Sequence, residues 1–206
     1  MKKISILFLF VIFGVFVFSN SFIIPENIQE NPFYTKGDYL LSSIRSKIED
    51  DFLGIRNYVK LFASLEEVRS GDWQTMKPLL LKITEVYDGL IFYIRKDGFY
   101  YSNQKDWTGL TLVDRDYYSL LLEGKEVVAS LVYGRSTDKK SAVFAYPIII
   151  NGEYEGAIGF SLFLENFSIK IARDLNLESD LNFYVLNNDG LTVLNSQPFL
   201  IFQNPL

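Results

Sequence analysis

Apolar residues return at every third or fourth position in one stretch of the chain: Leu41, Ile44, Ile48, Phe52, Ile55, Val59 and Phe62. That spacing draws a single stripe along an α-helix, with Arg45, Lys47, Glu49, Asp50 and Lys60 outside it. Asp38 is suited to cap the start, so the pattern predicts a long helix from Asp38 to about Leu65. Two roles fit the stripe: a rod that carries a signal toward a membrane, or a helix that only covers a core. A second helix is predicted from Asp72 to Tyr87, with Pro78 as a local irregularity. From Gly89 the period shortens. Leu90 to Arg95 and Phe99 to Ser102 flank the turn residues Lys96, Asp97 and Gly98. Glu126 to Tyr133 and Ser141 to Ile150 are joined by the polar loop GRSTDKK, and Asn151-Gly152 marks a hairpin into Gly156 to Leu164. The order helix, helix, hairpin, short helix, three-stranded meander predicts an α+β fold: an antiparallel sheet of five strands with helices on one side.

The stretch before the long helix has no amphipathic pattern. Lys2 and Lys3 precede an uncharged run from Ile4 to Ile24, apolar except at Ser5, Gly14, Ser19, Asn20 and Ser21. About 20 apolar residues span a bilayer, so residues 1–24 read as a transmembrane anchor, the reading their length favours. A cleaved signal segment is the other reading, because Val17-Phe18-Ser19 and Ser19-Asn20-Ser21 place small residues at cleavage spacing. In both, the two lysines stay inside and the rest of the chain lies outside the cytoplasm. The expectation is a single-pass protein of the cell membrane, held through residues 4–24, with residues 25–37 as a linker. Once those two lysines are set aside, acidic residues outnumber basic ones 25 to 18. No nucleic-acid partner is expected, since phosphate contacts need a basic patch.

Composition narrows the chemistry further. Among 206 residues there is no His and no Cys. The chain therefore builds no Ser-His-Asp or Cys-His nucleophile and offers a transition metal neither imidazole nor thiolate. No metal, no cofactor and no disulfide is expected. No two Asp or Glu of the strand region promise the convergence that carboxylate hydrolysis needs, so no enzymatic activity is expected either. Glu49-Asp50-Asp51 and Glu66-Glu67 read as solvated faces, because adjacent residues on a helix do not face one another. Asn187-Asn188-Asp189-Gly190 lacks the spaced Glu of a calcium loop and reads as a turn. Asn166-Phe167-Ser168 fits the glycosylation acceptor pattern.

One stretch concentrates the remaining chemistry. DRDYYSLLLEGKEVVAS, residues 114–130, followed by SAVFAYPIIINGEYEGAIGFSLFLENF, resembles the Cache domain, a PAS-like sensor module. In that family an Asp-Arg-x-Tyr-aromatic motif opens a short helix, a strand follows, and a meander carries an aromatic-Pro step before the last strand. A long helix beside a membrane anchor belongs to the same pattern. The resemblance covers 38–167 and implies a small-molecule sensor of the kind found outside the membrane in chemoreceptors, histidine kinases and diguanylate cyclases. It implies a ligand-binding role for Arg115, Tyr117 and Tyr118. A planar guanidinium with two parallel donors, flanked by neutral hydroxyls, suits a small carboxylate. In a helix opening near Arg115, capped by Asp114, residues 115 and 118 share a face and 117 does not. Members that bind amino acids are similar at Arg115 and Tyr118, which hold the ligand carboxylate, but carry Trp where this chain has Tyr117. They also carry, on the last strand, an Asp for the ligand amine where this chain has Ser161. A hydroxyl cannot neutralise an ammonium, so the departure points to an organic acid or related small anion.

Strand alternation adds Tyr146, on one face with Phe144, and places Tyr101, Tyr133, Tyr93, Trp107 and Arg135 toward the mouth of such a site. With 13 tyrosines in the chain, core filling is the competing reading for each. Arg115 has its own competing reading, a simple pairing with Asp114, Asp116 or Glu123. Residues 168–206 read as a helix and one hairpin, which cannot close a core alone. They resemble the opening of the membrane-proximal second module of double Cache sensors, apparently truncated. The partners implied are a small-molecule ligand, a second copy through the long helix, and either a signalling output partner or a missing C-terminal output domain. The alternatives are an extracytoplasmic structural or protein-interaction module without a ligand, or a receptor fragment without output.

Overall fold

The computed structural model describes residues 32–178 and 181–204. The expected membrane segment lies outside them, as does the first half of the linker. Among the described residues, no helix is long and apolar enough to cross a membrane. The chain divides into two compact units, one of Phe52–Phe167 and the other of the described residues up to Asp51 together with those from Ser168.

The long helix α1 spans Pro32–Ser64, 33 residues and about 50 Å. Its described part opens at Pro32, so Asp38 lies inside the helix and does not cap it. Its stripe is buried as expected, from Ile44 and Ile48 through Phe52, Ile55 and Val59 to Phe62. A short turn of helix, α2 (Glu66–Arg69), leads to α3 (Trp73–Leu80), where the Asp72 carboxylate accepts the backbone N–H of Gln74. The expected single helix through Tyr87 instead tightens into a 3-10 turn at Leu81–Glu85.

The sheet follows in chain order: β1 (Gly89–Arg95), β2 (Phe99–Ser102), β3 (Asp106–Thr111), a short helix α4 (Tyr118–Leu122), β4 (Val127–Tyr133), β5 (Lys140–Ile150) and β6 (Glu153–Phe163). It is antiparallel throughout, in the order β3-β2-β1-β6-β5-β4. Five strands are expected from the sequence and six are found. The additional one, β3, is an exposed edge whose residues DWTGLT lack apolar alternation, and Gly109 within it stands at φ 68°.

Register fixes which side chains share a face. On the face toward α1, Phe144 meets Phe52 edge-on at 5.1 Å, and Ile91, Ile158, Phe160 and Leu162 lie on the same side. The opposite face carries three rows aligned across β1, β6 and β5: Leu90, Ser161 and Val143; Phe92, Gly159 and Ala145; Ile94, Ala157 and Pro147. Residues of these rows join Tyr100, Leu112, Tyr117, Tyr118, Leu121 and Phe163 in one buried cluster. The small residues at the centre of β5 and β6 leave depth above the sheet. The Phe92 ring uses part of it, lying so close over Gly159 that a Cβ there would stand 2.2 Å from the ring.

The helix α5 (Leu164–Asp174) passes from one unit into the other and leads to the hairpin β7 (Tyr184–Leu186) and β8 (Thr192–Asn195). Asn187 to Gly190 form the expected turn between them, closed by the Gly190 N–H on the Asn187 carbonyl at 3.1 Å. The expectation that Glu49-Asp50-Asp51 is a solvated face fails at Asp51, which is 7% exposed. Lys47 reaches its carboxylate at 2.6 Å and Lys170 of α5 at 3.8 Å, while Asp174 binds both lysines. Asp51 sits three residues after Ile48, on the apolar stripe itself, and paired lysines make its burial tolerable. The Asn166-Phe167-Ser168 pattern lies within α5, with Phe167 and Ser168 buried.

Candidate functional site

The segment between β3 and α4 does not form the helix start that the sequence suggests. Residues 112–118 make successive turns, with the Arg115 N–H on the Leu112 carbonyl at 3.0 Å and the Tyr118 N–H on the Arg115 carbonyl at 2.8 Å. The helix opens only at Tyr118, and Tyr117 precedes it without a side-chain cap. The expected cap by Asp114 is therefore corrected: its carboxylate binds Arg135 instead, at 2.6 Å. A turn in place of a helix also changes which side chains converge. Tyr117 and Tyr118 both enter the cluster, 5% and 6% exposed, rather than lying on different faces.

Four of the sequence candidates share this side of the sheet. Arg115 is half-buried and donates from Nη2 to the Tyr133 carbonyl at 2.9 Å. No carboxylate lies within ion-pair distance of it among the described residues, although Asp114 stands in its field. Burial pushes the Tyr117 phenol up to about 12, against the opposing field of Arg115, with Tyr100, Arg135 and Asp114 also in range. Tyr118 is likewise raised, chiefly by burial. Ser161 faces the cluster between Leu90 and Val143, and its hydroxyl has no hydrogen-bond partner among the described residues.

The other three candidates are not brought to this face. Tyr146 is paired with Ile158 and lies toward α1, with the Lys60 ammonium 5.8 Å from its ring centre. Tyr101 stacks with Trp73 at 5.5 Å and with Tyr93 at 6.5 Å and meets Trp107 at 5.1 Å, all on the side of α3. Tyr133 follows Val132, which packs into the cluster, so alternation turns its ring the other way, 52% exposed; only its carbonyl takes part. Tyr93, Trp107 and Phe144 also stay on the far side.

Two residues join the site that the sequence reading underweights. Arg135, from the polar loop GRSTDKK, donates to the Thr111 carbonyl at 2.7 Å and pairs with Asp114, and that bond depresses the Asp114 carboxyl and raises the guanidinium. Tyr154 is the other. Plain alternation would set it beside Ile158 and Phe160, but a bulge opposite Ile148 and Ile149 re-aims it, so that it pairs with Ile149 and packs against the cluster. Its ring meets Tyr118 at 84° and 6.4 Å, and its buried hydroxyl lies near the Tyr118 side chain without a hydrogen bond of normal geometry. Burial, with Tyr118 beside it, holds that phenol well above the ordinary range.

No protein-family model matches the chain, and no curated protein matches its sequence. Solved structures do. The sensor domain of the Vibrio cholerae histidine kinase DctB is similar at a TM-score of 0.66 and 16% identity, over 84% of this chain and 70% of that one. The sensory domain of the Campylobacter jejuni chemoreceptor Tlp3, with isoleucine bound, is similar at 0.63 and 12%, over 87% and 76%. The ligand-binding domain of the Pseudomonas aeruginosa amino acid chemoreceptor PctC, in complex with GABA, is similar at 0.64 and 15%, over 86% and 80%. The fold is that of a Cache sensor domain. Its long helix and six-stranded antiparallel sheet are the common architecture, and identities this low speak to that architecture alone.

Proposed function

We propose that the protein is an extracytoplasmic sensor module that binds a small organic acid or related small anion, for transmembrane signalling. The observation that carries this reading is the one-sided polarity of the site. Arg115 and Arg135, with the Tyr117 phenol in the field of both, offer donors at one end of an apolar floor that Ser161 interrupts, and Tyr118 and Tyr154 add hydroxyls toward the β1–β2 turn. None of the three rows aligned across β1, β6 and β5 carries an Asp or Glu, and Glu155, farther along β6, is paired with Lys96. Such a set stabilises a carboxylate and leaves an ammonium without a counter-charge. The similar chemoreceptor domains that hold isoleucine or GABA support small-molecule sensing. Ser161 in place of a carboxylate separates this chain from an α-amino-acid receptor.

Anchoring through residues 4–24, dimerisation through α1 and an output partner belong to the same proposal. Leu53 and Leu61 stand half exposed on α1, where a second copy would cover them. Residues 168–206 would be the opening of a second module. A second reading, a structural or interaction module without a ligand, draws on the near-complete burial of Tyr117 and Tyr118 and the seating of Phe92 over Gly159. A thermal-shift screen of organic acids, amino acids, amines, purines and sugars separates the two. A ligand at a hundred times its Kd adds about 2.7 kcal/mol to the folded state. A shift with acids and none with amines supports the sensor; a well-folded protein that nothing shifts supports the second reading.

A further inference from the structure

β3 and β4 are the two outer strands of the sheet, yet their ends are joined. Arg115, just beyond β3, donates to the carbonyl of Tyr133, the last residue of β4. Arg135, just beyond β4, donates to the carbonyl of Thr111, the last residue of β3, and pairs with Asp114. Two guanidiniums thus cross in opposite directions between the edges, with the buried Tyr117 phenol in the field of both. Among the described residues, only one carboxylate takes part. Asp114 occupies Arg135 and leaves Arg115 unpaired, although it is the immediate chain neighbour of Arg115.

We propose that Arg135 is a second anion-binding group of this site and that Asp114 is its internal counterion, exchanged for an acidic group of the ligand. The proposal rests on the reading of the site as a receptor for small acids. An Arg–carboxylate pair at this exposure, 27% and 62% for the two side chains, is held weakly and exchanges readily. The Thr111 carbonyl keeps the guanidinium in place while its carboxylate partner changes. Asp114 then sets selectivity: it disfavours anions too weakly charged to displace it and keeps Arg135 from binding chloride or other bulk ions.

A double-mutant cycle in the full chain tests this, with acetate and inorganic phosphate as probes in isothermal titration. Asp114→Asn should tighten binding of at least one probe about two- to fivefold, the strength of an exposed ion pair. Arg135→Gln should weaken it about tenfold, as expected for loss of a charge-assisted hydrogen bond. In the Arg135→Gln background, Asp114→Asn should give no gain, because the carboxylate acts through that guanidinium. An equal gain in both backgrounds would mean a general electrostatic effect and would overturn the proposal, as would no gain in either. Arg115→Ala tells its failure from that of the wider reading. If Arg115→Ala abolishes binding while the cycle shows no coupling, the acid receptor stands and Arg135 has no part in it. If neither wild type nor Asp114→Asn binds a probe, both fall. All variants are checked by circular dichroism and melting temperature, which a purely structural pair would move and a ligand group would not.

Discussion

Tyr154→Phe removes one buried oxygen from the cluster face of the sheet, and the missing hydrogen bond of normal geometry predicts the sign of the effect. The hydroxyl is buried and makes no hydrogen bond of normal geometry, with the Tyr118 side chain as its polar neighbour. A buried polar group left without a partner costs about 1–3 kcal/mol relative to its hydrated state in the unfolded chain. Phenylalanine keeps the ring and its packing against the cluster and discards that cost. The phenol is neutral at any working pH, because burial holds it well above its ordinary range, so no charge change complicates the comparison. The variant should therefore be more stable by about 1 kcal/mol at the low end of that range, a rise of roughly 2–4 °C in melting temperature for a chain of this length. Urea unfolding followed by tryptophan fluorescence measures the free-energy difference, and differential scanning calorimetry checks the temperature. If the site takes a ligand that meets this hydroxyl, the same variant binds it more weakly, so that stability and affinity move in opposite directions. A variant destabilised by 1 kcal/mol or more would show that the hydroxyl is satisfied in the native protein, and the argument for its place in the site would fail.

Three further outcomes follow from the same face of the sheet. Gly159→Ala pushes a methyl group into the Phe92 ring and should cost about 1–3 kcal/mol in urea unfolding; Phe92→Leu in the same chain should recover part of it, and additive losses would refute the contact. Tyr117 has its phenol raised from 10 to about 12 by burial, so the stabilisation it contributes is complete below pH 10 and is lost as the pH climbs toward 12. That gap corresponds to about 2–3 kcal/mol, and Tyr117→Phe should flatten the alkaline decline in unfolding midpoint; an unchanged slope would mean the phenol ionises normally. Ser161→Asp places a carboxylate beside Leu90 and Val143 on the cluster face and should turn preference from simple acids toward α-amino acids, read as the ratio of their thermal shifts; a ratio that does not move would count against Ser161 as a ligand contact.

Much of this fold is legible from apolar spacing, because a buried face enforces its period. The stripe from Ile44 to Phe62 and the meander from Ser141 to Phe163 are of that kind. β3 is not, since an exposed edge strand has no buried face to impose alternation. Asp51 was readable in principle: it falls at helical spacing from Ile48, and the pairing lysine lies far away in sequence, on α5. The site shows a similar division. The motif around Arg115 identifies the segment that carries the donors, yet whether Tyr117 and Tyr118 converge depends on turns closed by Leu112 and Arg115 carbonyls. Counting along strands placed Tyr146 and Tyr101 in the site, whereas register with Ile158 and Tyr93 sets them on the other face. Tyr154 escaped for the converse reason, because a bulge reverses the count. Arg135 is legible only as a loop residue toward the mouth of the site, because its bond to Thr111 is a contact between strands at opposite edges of the sheet.

The central claim is that the face bearing Arg115, Tyr117 and Ser161 binds a small acid. Isothermal titration of the acid that shifts the melting temperature most, into wild type and Arg115→Ala, tests it most directly. Loss of a charge-assisted donor pair is worth about 1.5–3 kcal/mol, so affinity should fall roughly ten- to hundredfold while the variant stays folded. Equal affinity in the two proteins would contradict the claim.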